Sequence, residues 1–262
     1  MNILDEIVVY KRKEVQENLK SHSLKELERS KHFNRKTISL MQSVLDKNRH
    51  GIIAEIKRKS PSKGVINHNV SIERISKGYR EAGASAISVL TDSKYFGGSN
   101  EDLRTVRELN DCPVLRKDFI ISEYQVVEAK SIGADAILLI AAALPVDELK
   151  SLSKLATSLG LEILLEVHNE EELVNTQEVN ADLIGVNNRN LQTFEVSLDV
   201  SRKLISQIPK EVTAVSESGI ENPATIKKLK TLGYSGFLIG QYFMQAEFPE
   251  IACRDFIEKL RV

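Results

Sequence analysis

The sequence predicts an α/β protein, a (β/α)8 barrel of the TIM-barrel architecture preceded by a helical extension. Three observations carry this expectation. Short apolar, β-branched runs recur eight times along the 262 residues, a length close to the roughly 250 that such a barrel occupies. Segments with helical spacing and charged faces separate the runs, and eight strand–helix alternations favour a closed barrel over an open doubly wound sheet. The junctions also repeat: REAGASAISVL, KSIGADAILLI and KTLGYSGFLIG each end a helix on a glycine (Gly83, Gly133, Gly233) and restart a strand. EVNADLIGV places Asn180 where the others have glycine, and Gly or Asn suits a left-handed helix C-cap. These copies lie roughly 50 residues apart, about two strand–helix units.

In chain order, LDEIVVYKRKEVQENLK and SLKELERSK read as two amphipathic helices, so residues 1–46 are taken as an extension packed on the barrel. With no Pro/Gly-rich linker after it, residues 1–262 are expected to form one domain with one function. The strands follow as GIIAEIK (51–57), AISVLT (86–91), PVLRKDF (113–119), DAILLIA (135–141), LEILLEV (161–167), DLIGVNN (182–188), VTAVSES (212–218) and GFLIG (236–240). Most are apolar almost continuously, as strands buried on both faces of a parallel sheet are. SIERISKGYREAG, SEYQVVEAKSIG and NPATIKKLKTLG are examples of the intervening helices.

Composition narrows the function classes. A balance of 36 basic against 37 acidic side chains gives no reason to expect nucleic acid or an anionic membrane as partner. No apolar run reaches the ~20 residues of a membrane span, and the charged N-terminal stretch lacks a signal peptide's apolar core. Two cysteines, Cys112 and Cys253, are too few for a disulfide framework. A cytoplasmic protein, monomeric, with a small phosphorylated molecule as its ligand, is the expectation. The five histidines are scattered without metal-ligand spacing and read as surface or loop residues, so no metal is expected.

Barrels of this kind work at the C-terminal ends of their strands, where buried polar residues are costly and seldom accidental. Glu55 and Lys57, two apart on the first strand, point the same way, into the mouth. They suit either chemistry or a structural ion pair. The turn from Lys59 through Ser60 to Gly64 is basic and hydroxyl-rich, fit for an anion or a lid. The third strand ends in Arg116, Lys117 and Asp118; the fifth carries Glu166 after leucines, where burial is expected to raise its pKa. The sixth ends in Asn187, Asn188 and Arg189, the seventh in Ser216, Glu217, Ser218 and Gly219. Gly219, with Gly240 ahead of a short helix over Gln241 to Met244, forms the kind of phosphate site found after strands seven and eight, which Arg189 can complete. There is no P-loop, dinucleotide fingerprint or nucleophile elbow. A Schiff base on Lys57 or Lys117 stays open, but the favoured chemistry is cofactor-free acid–base catalysis on a phosphorylated compound.

Taken together, IIAEIKRKSPSKG, LTDSKYFGGS, PVLRKDFI, ILLEVHNEEEL, IGVNNRNL, VSESGI and LIG, from about residue 50 to 245, closely resemble the motif series of indole-3-glycerol phosphate synthases. The resemblance implies ring closure, decarboxylation and dehydration of 1-(2-carboxyphenylamino)-1-deoxyribulose 5-phosphate, without a cofactor. It implies that Lys117 is the general acid, that Lys57 holds the anthranilate carboxylate and that Glu166 is the acid–base partner in dehydration. Glu55, Asn187, Glu217 and Ser218 would orient substrate and lysines. Ser60, Arg189, Gly219, Gly240 and Gln241 would bind phosphate, and Phe96 would line the aromatic pocket. The sequence departs from the family's habit after Gly240, where Gln241 and Tyr242 replace smaller or acidic residues. Two other readings compete: phosphoribosylanthranilate isomerase, for which one acid and one base suffice, and a barrel that only senses a phosphorylated metabolite.

Overall fold

The structure, a computed structural model, describes residues 2–261. Among these, eight parallel strands close into a barrel: β1 (Ile52–Ile56), β2 (Ala86–Leu90), β3 (Val114–Lys117), β4 (Ala136–Ile140), β5 (Glu162–Val167), β6 (Leu183–Asn187), β7 (Thr213–Glu217) and β8 (Gly236–Ile239), with β8 pairing back onto β1. Each predicted run holds one strand. The closed parallel barrel with alternating helices is therefore the fold the sequence announces.

Strand alternation sorts the side chains. Ile53, Leu115, Leu164 and Val215 fill the barrel interior with Leu138 and Leu238, which also line the mouth, while Ile52, Ile87, Val114, Ile137, Ile163 and Phe237 face outward under the helices. The interior set turns polar only at the C-terminal level, where Glu55 lies beside Ser88 and Asn187 beside Glu217 in the strand registers. Outside the barrel run the longer helices α4 (Ile72–Ala82), α6 (Asn100–Leu109), α7 (Glu123–Ile132), α8 (Val146–Ser158), α11 (Pro223–Leu232) and α13 (Pro249–Glu258), with the short α5 (Ser93–Phe96), α9 (Glu170–Asn175), α10 (Asp199–Leu204) and α12 (Gln241–Met244). Gly83, Gly133 and Gly233 cap α4, α7 and α11 in left-handed backbone, at φ 98°, 96° and 118°. Asn180 does not repeat this: α9 ends at Asn175 with Thr176 as its C-cap, and Asn180 falls in the following turn without a positive φ. The helix stops a turn early, so the junction needs no left-handed residue there.

The extension is longer in its reach than its sequence suggests. α1 (Ile3–Ser21) lies at the C-terminal mouth, and α2 (Leu24–Glu28) packs with Val15 of α1 on Tyr124 and Val127 of α7. A third helix, α3 (Leu40–Leu45), was not foreseen. Its Leu40 and Val44 plug the opposite end of the barrel, joining the interior cluster of Ile53, Leu115 and Val215. Glu162 at the base of β5 accepts hydrogen bonds from the Ser39 hydroxyl and the Met41 N–H, and fully buried Asp135 accepts from the Ile38 N–H and pairs with Arg35 and Arg107. Residues 35–45 are thus fastened to the floor.

Candidate active site

A cavity of about 450 Å³ opens at the C-terminal mouth, a volume ordinary for small-molecule sites. All thirteen residues to which the resemblance gives a role line it: Glu55, Lys57, Ser60, Phe96, Lys117, Glu166, Asn187, Arg189, Glu217, Ser218, Gly219, Gly240 and Gln241. The sequence missed its apolar walls, Ile3, Leu4 and Ile7 from α1 together with Phe119, Leu191 and Phe194. Apolar residues on strand ends and loops carry no signal that separates a wall from a core.

Two lysine–glutamate pairs face this cavity. Lys57 Nζ lies 2.7 Å from Glu55 Oε1, the same-face pair expected from their spacing. Lys117 Nζ donates to Glu166 Oε2 at 2.9 Å and lies 3.4 Å from Glu217 Oε2. Burial disfavours the Lys117 ammonium, but Glu166, Glu217 and Glu55 more than offset it and hold the proton far more tightly than an ordinary lysine does. The glutamates divide. Burial raises the Glu166 pKa, as foreseen, yet Lys117 and His168 outweigh it and keep the carboxyl ionised well below its usual range. The expected upward shift belongs to Glu217 instead. Burial and the negative charges of Glu166 and Glu55 favour its neutral form against the pull of Lys117. Two adjacent carboxyls sharing one ammonium ionise unequally, the usual result for like charges in a desolvated space.

Glycines make this crowding possible. A Cβ on Gly240 would come within 2.3 Å of Glu55 Oε1, and one on Gly185 within 2.2 Å of Glu217 Oε1. Gly240 therefore makes room for a carboxylate as well as opening the short α12.

At the other end, Ser218 and Gly219 take consecutive left-handed conformations, φ 68° and 76°. Such a turn can offer backbone N–H groups to an anion, and strain at the non-glycine residue is the kind stored at working sites. Buried Asn188 fixes the turn by donating from Nδ2 to the carbonyls of Glu217 and Ser218. Arg189 donates to the Phe194 carbonyl and, at 3.4 Å, to Gln241 Oε1, and no carboxylate pairs with it among the described residues. Unlike both lysines, it keeps its charge available for a ligand. Ser60 sits in a small hairpin, Lys59–Ser60 against Gly64–Val65, where a plain turn was expected.

Several rim candidates prove structural. Alternation turns Arg116 away from the mouth, into a buried pairing with Glu128 at 2.6 Å. Ser216 and Asn188 bond each other and Ser201 beneath the rim. His168, read from sequence as a surface or loop residue, is only 9% exposed and stands between Glu166 Oε1 at 3.3 Å and Glu172 Oε2 at 3.0 Å. It follows β5 by one residue, so the carboxylates of β5 and α9 close over it. Burial works against its charge, but the two carboxylates raise its pKa to about 10.

Fold and mouth together define the class of (β/α)8-barrel enzymes, whose working residues stand at the C-terminal strand ends. Comparison with known proteins narrows this. The sequence profile of the indole-3-glycerol phosphate synthase family matches residues 4–256. An indole-3-glycerol phosphate synthase of Bacteroides thetaiotaomicron is 46% identical over 263 residues, covering 99% of each chain, and one of Caldanaerobacter subterraneus is 42% identical over 259 residues, also 99% of each. The chain belongs to the indole-3-glycerol phosphate synthase family. Among solved structures, a mutant tryptophan synthase α-subunit from Pyrococcus furiosus aligns with a TM-score of 0.62 at 15% identity, over 81% of this chain and 98% of that one. An N-acetylmannosamine-6-phosphate 2-epimerase from Clostridium perfringens gives 0.61 at 15%, over 78% and 90%. These last two likenesses concern the fold alone. No helix among the described residues is long and apolar enough to cross a membrane.

Proposed function

We propose that the chain is a carbon–carbon lyase that converts 1-(2-carboxyphenylamino)-1-deoxyribulose 5-phosphate to indole-3-glycerol phosphate, carbon dioxide and water. The observation that carries this reading is the pair of lysines, each set against its own glutamate, facing one cavity that the left-handed turn of Ser218 and Gly219 also lines. The phosphate lies in the turn of Ser218 and Gly219, with Arg189, Ser60, Gly240 and Gln241 around it. The aromatic ring lies against Phe96 and Phe119, whose centroids are 5.9 Å apart, and Lys57 holds the ring carboxylate.

The chemistry follows from the charges. The ring carbon bearing the carboxylate attacks the ketone, and the Lys117 ammonium gives its proton to the developing oxyanion. Attack leaves an iminium on the substrate's own nitrogen, which takes up the electrons released as carbon dioxide departs. The Lys57 ammonium, released when the carboxylate departs, gives a proton to the new hydroxyl, which leaves as water, and ionised Glu166 accepts the proton lost from the neighbouring carbon as the indole forms. Glu55 and Asn187 steady the lysines and the substrate, and Glu217 keeps Lys117 aimed between the two carboxyls.

The test is direct. Mixed with this substrate, the purified protein is expected to produce indole absorbance and fluorescence, against a low background because the chain has no tryptophan. Lys117→Ala should reduce turnover at least ~100-fold while substrate binding is largely retained, the scale of removing a general acid. Unchanged turnover in that variant would remove Lys117 from its role. Binding without any product from the native chain would remove the reaction.

A further inference from the structure

α1 buries one face through Leu4, Ile7, Lys11 and Val15, and the third of these is a lysine only 2% exposed. A lysine on an apolar stripe needs partners, because an unpaired buried ammonium is expensive. Lys11 Nζ lies 2.9 Å from Asp92 Oδ2 and 3.0 Å from Asp118 Oδ1, with Glu14 of its own helix at 2.5 Å. Both aspartates are almost fully buried. Each has a second task. Asp92 caps α5 by accepting the N–H groups of Tyr95 at 2.6 Å and Phe96 at 3.3 Å. Asp118 accepts the Phe119 N–H at 2.8 Å and the Thr91 hydroxyl at 2.5 Å, and it directly follows Lys117. Phe96 and Phe119 are the two rings that pack together on the cavity wall.

We propose that Lys11 is a positioning residue for the aromatic end of the cavity, its ammonium bridging the two carboxylates from which the backbones of Phe96 and Phe119 hang. Without that cation, Asp92 and Asp118 face each other as like charges in a desolvated space, and breaking such a cluster by deleting one partner is strongly unfavourable. One carboxylate must turn away or take up a proton, and either response shifts an aromatic wall. Arg116 is the nearest remaining cation, 3.4 Å from Asp118 Oδ2, and Glu128 already pairs with it. None of these contacts reaches the turn at Ser218 and Gly219. The consequence of losing Lys11 is therefore one-sided: the aromatic half loosens and the phosphate half does not.

This inference rests on the proposed reaction, and one set of assays separates the two. In the full chain, Lys11→Met is expected to raise KM about tenfold, the scale of one lost well-placed interaction, with kcat within about threefold of the native value. Inhibition by inorganic phosphate, which probes that turn alone, should be unchanged. Lys11→Arg keeps a cation between the carboxylates and should restore most of KM. Asp92→Asn retains an oxygen to cap Phe96 but loses its pairing with Lys11; it should show the same selective rise in KM and serves where Lys11→Met does not fold. An unchanged KM in the soluble variant, a loss confined to kcat, or phosphate inhibition weakening in step with KM would each overturn the proposal. No turnover by the native chain would overturn the functional reading, and this inference with it.

Discussion

Glu166 owes its charge to neighbours on both sides, Lys117 towards the cavity and His168 behind it. The second contact has a measurable signature. His168 titrates at about 10 in the fold against 6.5 unperturbed, because Glu166 and Glu172 favour its charged form. A raised basic pKa contributes stability that is complete below about 6.5 and is lost as pH rises through about 10. Thermal melts from pH 6 to 10 should therefore show the native Tm falling more steeply than that of His168→Gln, and parallel profiles would mean that the histidine is not charged there. At this scale the sequence was legible wherever strand alternation decides direction: Glu55, Lys57, Lys117 and Glu166 point inward because their strands do. It was silent where a contact depends on two distant segments meeting. His168 gains its second carboxylate from α9, and Lys11 finds its aspartates about 80 and 107 residues away, separations that local periodicity cannot register.

Among the helices of the extension, α3 was the one unforeseen. Six residues, Leu40–Leu45, are too short for a helical pattern to stand out, and only Ser39 as N-cap and the spacing of Leu40 and Val44 mark it. Its stability comes from the barrel floor and not from propensity. Leu40 is wholly buried among the lowest interior residues, so Leu40→Ala should cost about 2–5 kcal/mol in denaturant unfolding, the range for emptying a packed core position. Because the floor lies at the end opposite the mouth, KM should hold at temperatures where the variant stays folded. A cost below about 1 kcal/mol would show that the plug is not part of the packed core. The barrel strands, by contrast, were readable one by one, since each is a short β-branched run between turn residues with little tertiary context needed to define it.

For the whole molecule, the question is whether barrel and extension open together. We propose that residues 1–262 behave as one cooperative unit, and two thiols report on it. Cys112 lies just ahead of β3 and Cys253 on α13; both are buried, and burial raises the first to about 11 and the second higher still. Neither is a reactive thiolate in the native fold. A disulfide reagent at neutral pH should label both at one slow rate that follows global unfolding. Two rates differing more than about tenfold would reveal a part that opens alone. The sequence suggested this unity only by lacking a linker; the ties that would enforce it, Asp135 to Arg35 and Glu162 to Ser39, join residues too far apart to be inferred from it.

Because the extension grips both ends of the barrel, the order of synthesis runs against the order of assembly. Residues 3–45 leave the ribosome before any barrel strand, yet Val44 settles against Gly236, and Lys11 waits for Asp118. Through most of translation the nascent chain carries the apolar stripe of Leu4, Ile7 and Val15 uncovered, a segment for chaperones to shield. The pocket gains its wall from α1 only once the barrel has closed. A prematurely terminated chain would then be inert as a catalyst, and it would compete for neither substrate nor product.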